Sequence, residues 1–156
     1  MVVMRGDRAR FRGEHAARRQ EQQLSAYTDY ALTLKKTVTL HRRVAAHLGH
    51  DGYPHPLPPA EAALLLVDAA DGRSAAGEGL LMLGSPDVVD AAHGWALSVM
   101  EVADLLPAPG CTADTWLAQI EKQRMAREKY YTAIRRAMGL PPGHSGRWQL
   151  SPAQPS

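Results

Sequence analysis

Leu24, Tyr27, Ala31, Leu34, Val38, His41, Ala45 and Leu48 recur along the chain at alternating steps of three and four residues. That coiled-coil-like spacing places all eight on one stripe of a single α-helix. A stripe of this length must pack along other helices, so the pattern predicts a helical bundle. The same helix extends back to about Asp7, where charged residues replace the stripe. Its end is expected at Gly49, a residue suited to a left-handed C-terminal position.

Three more helices follow from local signals. Residues 49–58 hold five Gly or Pro and read as a loop. The second helix opens with Pro59 at its first position and Glu61 in its first turn, where the dipole favours an anion. Its stripe of Ala62, Leu65, Leu66, Ala69, Ala76, Leu80 and Leu83 keeps helical phase across Gly72, Gly77 and Gly79. One helix to Leu83, bent near those glycines, is expected; a break at Asp71 and Gly72 is the competing reading. In Gly84-Ser85-Pro86-Asp87, Ser85 should cap, Pro86 take the first position and Asp87 meet the dipole. The third helix then buries Val88, Val89, Ala92, Trp95, Ala96, Val99, Val102, Ala103 and Leu106 before Pro107. Thr112 should cap the fourth, with Cys111 stapled on Trp116. Leu117, Ile120, Tyr131, Ile134 and Met138 form its expected face, ending at Gly139. Residues 140–156, rich in Pro, Gly and Ser, read as a flexible tail in which Trp148 or Leu150 can dock.

The predicted fold is all-α, an antiparallel up-down four-helix bundle with a long first helix projecting at its N-terminus. Residues 24–48 would make about 37 Å of helix, similar to the second and fourth helices. The expected organisation is a basic helical overhang over 1–23, the bundle over 24–139 and the tail over 140–156. Residues 7–23 have nothing opposite them and would protrude by about 25 Å.

Charge changes this picture more than composition does. Residues 5–48 carry a net +6, residues 49–110 a net −8 and residues 111–156 a net +4. With the first and fourth helices adjacent, one side of the bundle is basic and the other acidic. Attraction across their shared edges is the plain reading, at about 0.2–1 kcal/mol for each exposed pair. A surface that steers an anionic partner, or another copy, is the functional one. Arg outnumbers Lys fourteen to four, which a GC-rich coding sequence explains without nucleic acid. Cys111 is the only cysteine, excluding an internal disulfide framework. The longest apolar run, residues 62–67, is too short to cross a bilayer. A cytoplasmic protein is expected, membrane-peripheral if its arginines engage lipid.

Candidate chemistry is sparse. His47, His50, His55 and Asp51 surround the first loop and include good zinc donors, but the expected flexible loop favours plain exposed histidines. Asp90 and His93 give one carboxylate-x-x-His pair, whereas di-iron bundles need two plus further carboxylates. His41 is expected in the core, paired with Asp68 at a similar height. Tyr27, Tyr30, Tyr130 and Tyr131 should gather at one end as packing groups. Cys111 sits near a helix N-terminus but lacks a placeable base. No catalytic residue, cofactor or metal is assigned, and no small-molecule substrate is evident.

The most suggestive surface is N-terminal: Arg8, Arg10, Phe11, Arg12, Arg18 and Arg19. Arginine clusters bind phosphates and anionic headgroups through counterion release, although Glu14 and Glu21 dilute this one. The run from Glu14 to Tyr27, followed by Gly84-Ser85-Pro86-Asp87-Val88-Val89-Asp90-Ala91-Ala92, resembles a loose group of small helical proteins of high-GC Gram-positive bacteria. Many of those place such a helix after an N-terminal membrane segment, which this chain lacks; a soluble variant or a start further upstream is expected. The resemblance spans residues 8–138 in layout and carries no catalytic residue. The function expected is that of a non-enzymatic interaction or scaffold protein, self-associating or docking on an acidic protein partner. Non-specific binding to nucleic acid or an anionic membrane by the Arg-rich helix is the alternative.

Overall fold

The computed structural model describes residues 3–143, all of it helices and their connections. They are α1 (Val3–His47), α2 (Pro59–Leu83), α3 (Pro86–Met100), the single turn α4 (Val102–Leu105) and α5 (Ala113–Ala137). The contacts at the two ends fix the topology. At one end Tyr27 of α1 accepts the Ser85 N–H on its hydroxyl at 3.0 Å, and its carbonyl accepts the Tyr130 hydroxyl at 2.7 Å. At the other, the Trp116 indole N–H and the Arg42 guanidinium both donate to Asp51. Each long helix therefore runs opposite to the next, in an antiparallel up-down bundle.

The boundaries have local causes. Gly49 adopts φ +83° after α1 and Gly139 φ +67° after α5, conformations that glycine takes without steric cost. Pro59 and Pro86 stand in the first turns of α2 and α3. Thr112 accepts the Thr115 N–H while Thr115 accepts the Thr112 N–H, a reciprocal capping box. Gly84 cannot be enlarged, because a Cβ there would meet the Leu80 carbonyl oxygen at 2.5 Å. α2 continues unbroken through Gly72, Gly77 and Gly79, so the competing break is absent.

Two expectations at termini are corrected. Ser85 precedes α3 but makes no side-chain cap; its backbone N–H is drawn to Tyr27 and its Oγ is buried without a partner. The third helix does not run whole to Leu106 but is interrupted at Glu101. There the Ser98 carbonyl accepts Gln119 Nε2 at 2.6 Å and Gln123 Nε2 at 3.4 Å. Side chains inserting into a helical ladder in this way are a common cause of such breaks.

The core divides in two. One cluster gathers Tyr27, Tyr30, Leu34, Leu80, Val88, Trp95, Val99 and Tyr130. The other gathers Leu40, Val44, Leu57, Ala62, Ala69, Val102, Leu106 and Trp116, and Cys111 packs against it as expected of a staple. Among the described residues, Thr37, His41, Ser98 and Gln123 are polar and buried. Thr37 and Ser98 satisfy their hydroxyls on carbonyls of their own helices.

The predicted stripes hold on α1 and α3 at their centres and fail at their ends. Leu24, Leu48, Leu65, Leu83, Ala103, Leu117 and Tyr131 are exposed. On α5 the phase itself differs: Trp116, Ile120, Gln123 and Tyr130 face inward, so Leu117 and Tyr131 point out. Two polar positions, Gln123 and Arg127, stand where apolar residues would have marked that face.

Candidate interaction surfaces

α1 is long enough, at about 1.5 Å per residue, to extend well past its neighbours. Every residue from Gly6 to Gln22 is exposed. The first hydrogen bond from α1 to another helix's end is Gln20 Nε2 to the Met138 carbonyl at 3.4 Å, followed by Gln23 to Leu83 at 2.8 Å. N-terminal to Gln20, the described residues of the helix interact only with one another.

The projecting segment sorts its charges only in part. Helical spacing places Arg8, Phe11, Arg12, His15, Arg18 and Arg19 along one stripe. Phe11, 63% exposed, meets the His15 ring edge-on at 4.4 Å between centroids. Arg12 Nε donates to the Arg8 carbonyl. Asp7, Glu14 and Glu21 fall on the flank of the stripe beside Arg18, and Arg10 lies 3.7 Å from Glu14. Arg10 therefore belongs to the mixed face, and Glu14 and Glu21, one turn either side of Arg18, dilute that edge of the stripe while Arg8, Arg12 and Arg19 face away from them.

Within the bundle, the basic and acidic helices are joined by Lys36 to Asp68 at 2.6 Å and Lys122 to Glu101 at 2.5 Å. All four side chains are about half exposed or more, so each pair contributes little, about 0.2–1 kcal/mol. Both Lys122 and the Gln119 amide hold the Glu101 carboxyl below its usual range. The Lys36 pair also corrects an expectation, because Asp68 points outward and is not the partner of His41. The buried positions of α2 are Ala62, Ala69 and Leu80, and one residue's step from Ala69 turns Asp68 about 100° away. His41 is 5% exposed, with Nδ1 lacking a partner. Burial, helped by the Arg73 charge, lowers its pKa to about 4.

The first loop is pinned rather than flexible. Arg42 grips Asp51 with two hydrogen bonds of 2.8 and 3.0 Å, and Trp116 adds a third at 2.9 Å. Arg42 also lies over the Tyr53 ring, 4.7 Å from its centroid. Burial alone would raise the Asp51 carboxyl, but these hydrogen bonds and the Arg42 charge hold it below its ordinary value. The Asp51 carboxylate is thus engaged by Arg42 and Trp116, and His47 and His55 are exposed. Among the described residues no three His, Cys, Asp or Glu side chains gather as metal ligands. Asp90 and His93 are exposed on α3, and Cys111 is a half-buried free thiol. The four tyrosines do converge, with Tyr130 at 6.5 Å from Tyr30 and 5.9 Å from Tyr131, and Trp95 stacked among them. Burial, with Tyr30, Tyr27 and Tyr131 adjacent, pushes the Tyr130 hydroxyl well above its ordinary value, as befits a packed structural group.

One surface was missed by pattern reading. Leu64 is 80% and Val67 60% exposed on the outer face of α2. The signal was present in the run from Leu64 to Val67, since four consecutive apolar residues on a helix cannot all turn inward.

No protein-family model, curated protein or solved structure matches the chain. Trp148 and Leu150, considered above as docking groups, lie outside the described residues, as does most of the tail. Among the described residues no helix is long and apolar enough to cross a membrane.

Proposed function

We propose that this protein is a non-enzymatic interaction module that docks its projecting basic helix on the acidic, partly apolar surface of a second copy. The observation that carries the reading is the uncovered stripe of Arg8, Phe11, Arg12, His15, Arg18 and Arg19 on a helix continuous with the bundle core. An isolated helix of this length is marginal in water, and a partner would stabilise it. The matching chemistry lies on the same chain. Glu61 and Asp71 are exposed on α2, one turn from Leu64 and Val67 respectively, and those two apolar residues suit Phe11; Glu78, Asp87 and Asp90 extend the exposed acidic surface towards the other end of the bundle. Reciprocal docking about a two-fold axis would engage both helices at once.

Light scattering across a salt series tests this, because attraction between exposed charges is screened beyond about 10 Å at 0.1 M salt. An oligomer at low salt that dissociates at high salt is expected, as is a monomer for R8E/R12E/R18E/R19E at every salt concentration. A strict monomer of the native chain throughout overturns the reading. Arg8, Arg12 and Arg19, which face away from the acids, also suit a polyanion. If the charge-reversed chain loses retention on DNA or anionic liposomes while the native chain is a monomer, the second reading, binding to such a surface, replaces the first.

A further inference from the structure

A second feature lies on the basic side, away from the projecting helix. Between α1 and α5 a cleft of about 350 Å³ opens, at the lower end of the range of small-molecule sites. Lys35 and Arg42 enter it from α1, Arg124 and Arg127 from α5. Val38, Trp95 and Ile120 form its apolar floor, and the pinned Tyr53 closes one wall.

Two of the four cations are already answered within the chain. Arg42 is held by Asp51, and Arg124 by Glu121 and Glu128. Lys35 and Arg127 have no carboxylate partner among the described residues. Arg127 Nε is buried without an acceptor, and Gln123 Oε1, on a side chain 4% exposed, is buried without a donor. Both residues line the cleft. Buried groups of this kind are unfavourable unless something completes them. The cleft thus presents two cations without a carboxylate partner, one orphan donor, one orphan acceptor and an apolar floor.

We infer that this cleft binds a small amphipathic anion, an aromatic or heterocyclic acid. Its acid group lies against Lys35 and Arg127, its flat body rests on the apolar floor, and an adjacent N–H or O–H donates to Gln123 Oε1. An inorganic ion would leave the floor unused, and a neutral aromatic would leave both cations unanswered. The site is independent of the projecting helix, since none of its residues belongs to the arginine stripe.

The full chain is titrated with 1-anilinonaphthalene-8-sulfonate, which combines a sulfonate, an adjacent N–H and an aromatic body. N-phenyl-1-naphthylamine, the same body without the acid, serves as the control. Fluorescence gives the affinity, and amide chemical shifts in NMR spectra give the location. A single saturable site with shifts at residues 35–42 and 120–127 is expected. K35M/R127M keeps the apolar stems and should weaken the acid by at least about tenfold while leaving the neutral control unchanged. Should that pair fail to fold, K35M alone, at an exposed position, should show a smaller loss in the same direction. No saturable binding, shifts centred on Leu64 and Val67 of α2, or equal affinity in native and substituted chains would each overturn the site. R8E/R12E/R18E/R19E should bind the acid like the native chain, so failure here and failure of the docking reading are separable.

Discussion

Residues 6–22 and 26–45 of α1 share one backbone ladder and comparable length, yet they differ in everything beyond it. The second stretch buries Tyr27, Leu34 and Ala45 completely and lies against α2, α3 and α5. The first buries nothing. Most helical stability in proteins comes from packing an apolar face, so the two stretches hold their shape for different reasons. One is fixed by the core. The other relies on its neighbour's helical register and on side-chain pairs along its surface, and is free to meet something else.

The largest way to break this contrast is to remove packing from each half in turn. L34A should cost about 2–5 kcal/mol, the usual penalty of truncating a fully buried leucine. F11A, by contrast, should change stability by no more than about 0.5 kcal/mol. Urea denaturation of both variants as dilute protein checks the pair. A comparable loss from F11A would mean that the projecting segment folds back on the bundle.

His41 sharpens the buried half. Its folded pKa of about 4 lies below the ordinary 6.5, so the unfolded chain binds the proton first as the pH falls. The native state is fully favoured above about pH 6.5 and loses stability from there down to about pH 4, by up to roughly 3 kcal/mol. H41L removes that proton linkage and the unpartnered Nδ1, and should be the more stable chain throughout. Its margin should widen between pH 7 and pH 4.5. Melting curves at those two values decide it; a pH-independent margin would contradict a buried neutral imidazole.

Much of this was legible in the sequence. Gly49, Pro59, Pro86, Thr112 and Gly139 mark helix ends through backbone geometry and caps, which are local causes, and the structure places ends beside each of them. The steps of three and four on α1 and α3 gave their central faces for the same reason. What escaped depends on neighbours. The face of α5 is hidden because Gln123 and Arg127 occupy inward positions, and their burial makes sense only against Ser98 and the basic cleft. His41 and Asp68 share a height, but height does not set rotation about the axis of α2. The interruption at Glu101 follows from side chains of α5 reaching the Ser98 carbonyl, which no reading of α3 alone reveals. For the surfaces, the arginine cluster and its dilution by Glu14 and Glu21 were both visible at once, and helix phase confines that dilution to the edge at Arg18. The cleft was not visible, because its four cations come from two helices nearly ninety residues apart.

A smaller effect is expected where the buried half of α1 ends. D51A leaves Arg42 and Trp116 without their shared acceptor and should cost about 1–3 kcal/mol, with Arg42 half exposed and able to recover some hydration. Trp116 reports the change directly through its fluorescence. Because the Asp51 carboxyl is held below its ordinary 3.8, its contribution is present above that value and fades as the pH falls through the lower folded one. The gap between native and D51A chains should therefore close in strong acid. A gap that persists there would assign the loss to loop packing rather than to the charge.

The claim that the first stretch of α1 is a docking surface is tested most directly by amide hydrogen exchange at two protein concentrations. In dilute solution residues 6–16 should exchange within the first time points, as expected for helix without tertiary cover, while residues 27–45 exchange only on global opening. In concentrated solution at low salt, residues 6–16 should become protected, together with amides near Leu64 and Val67, and added salt should reverse both. Unchanged, rapid exchange of residues 6–16 at every concentration would contradict self-docking.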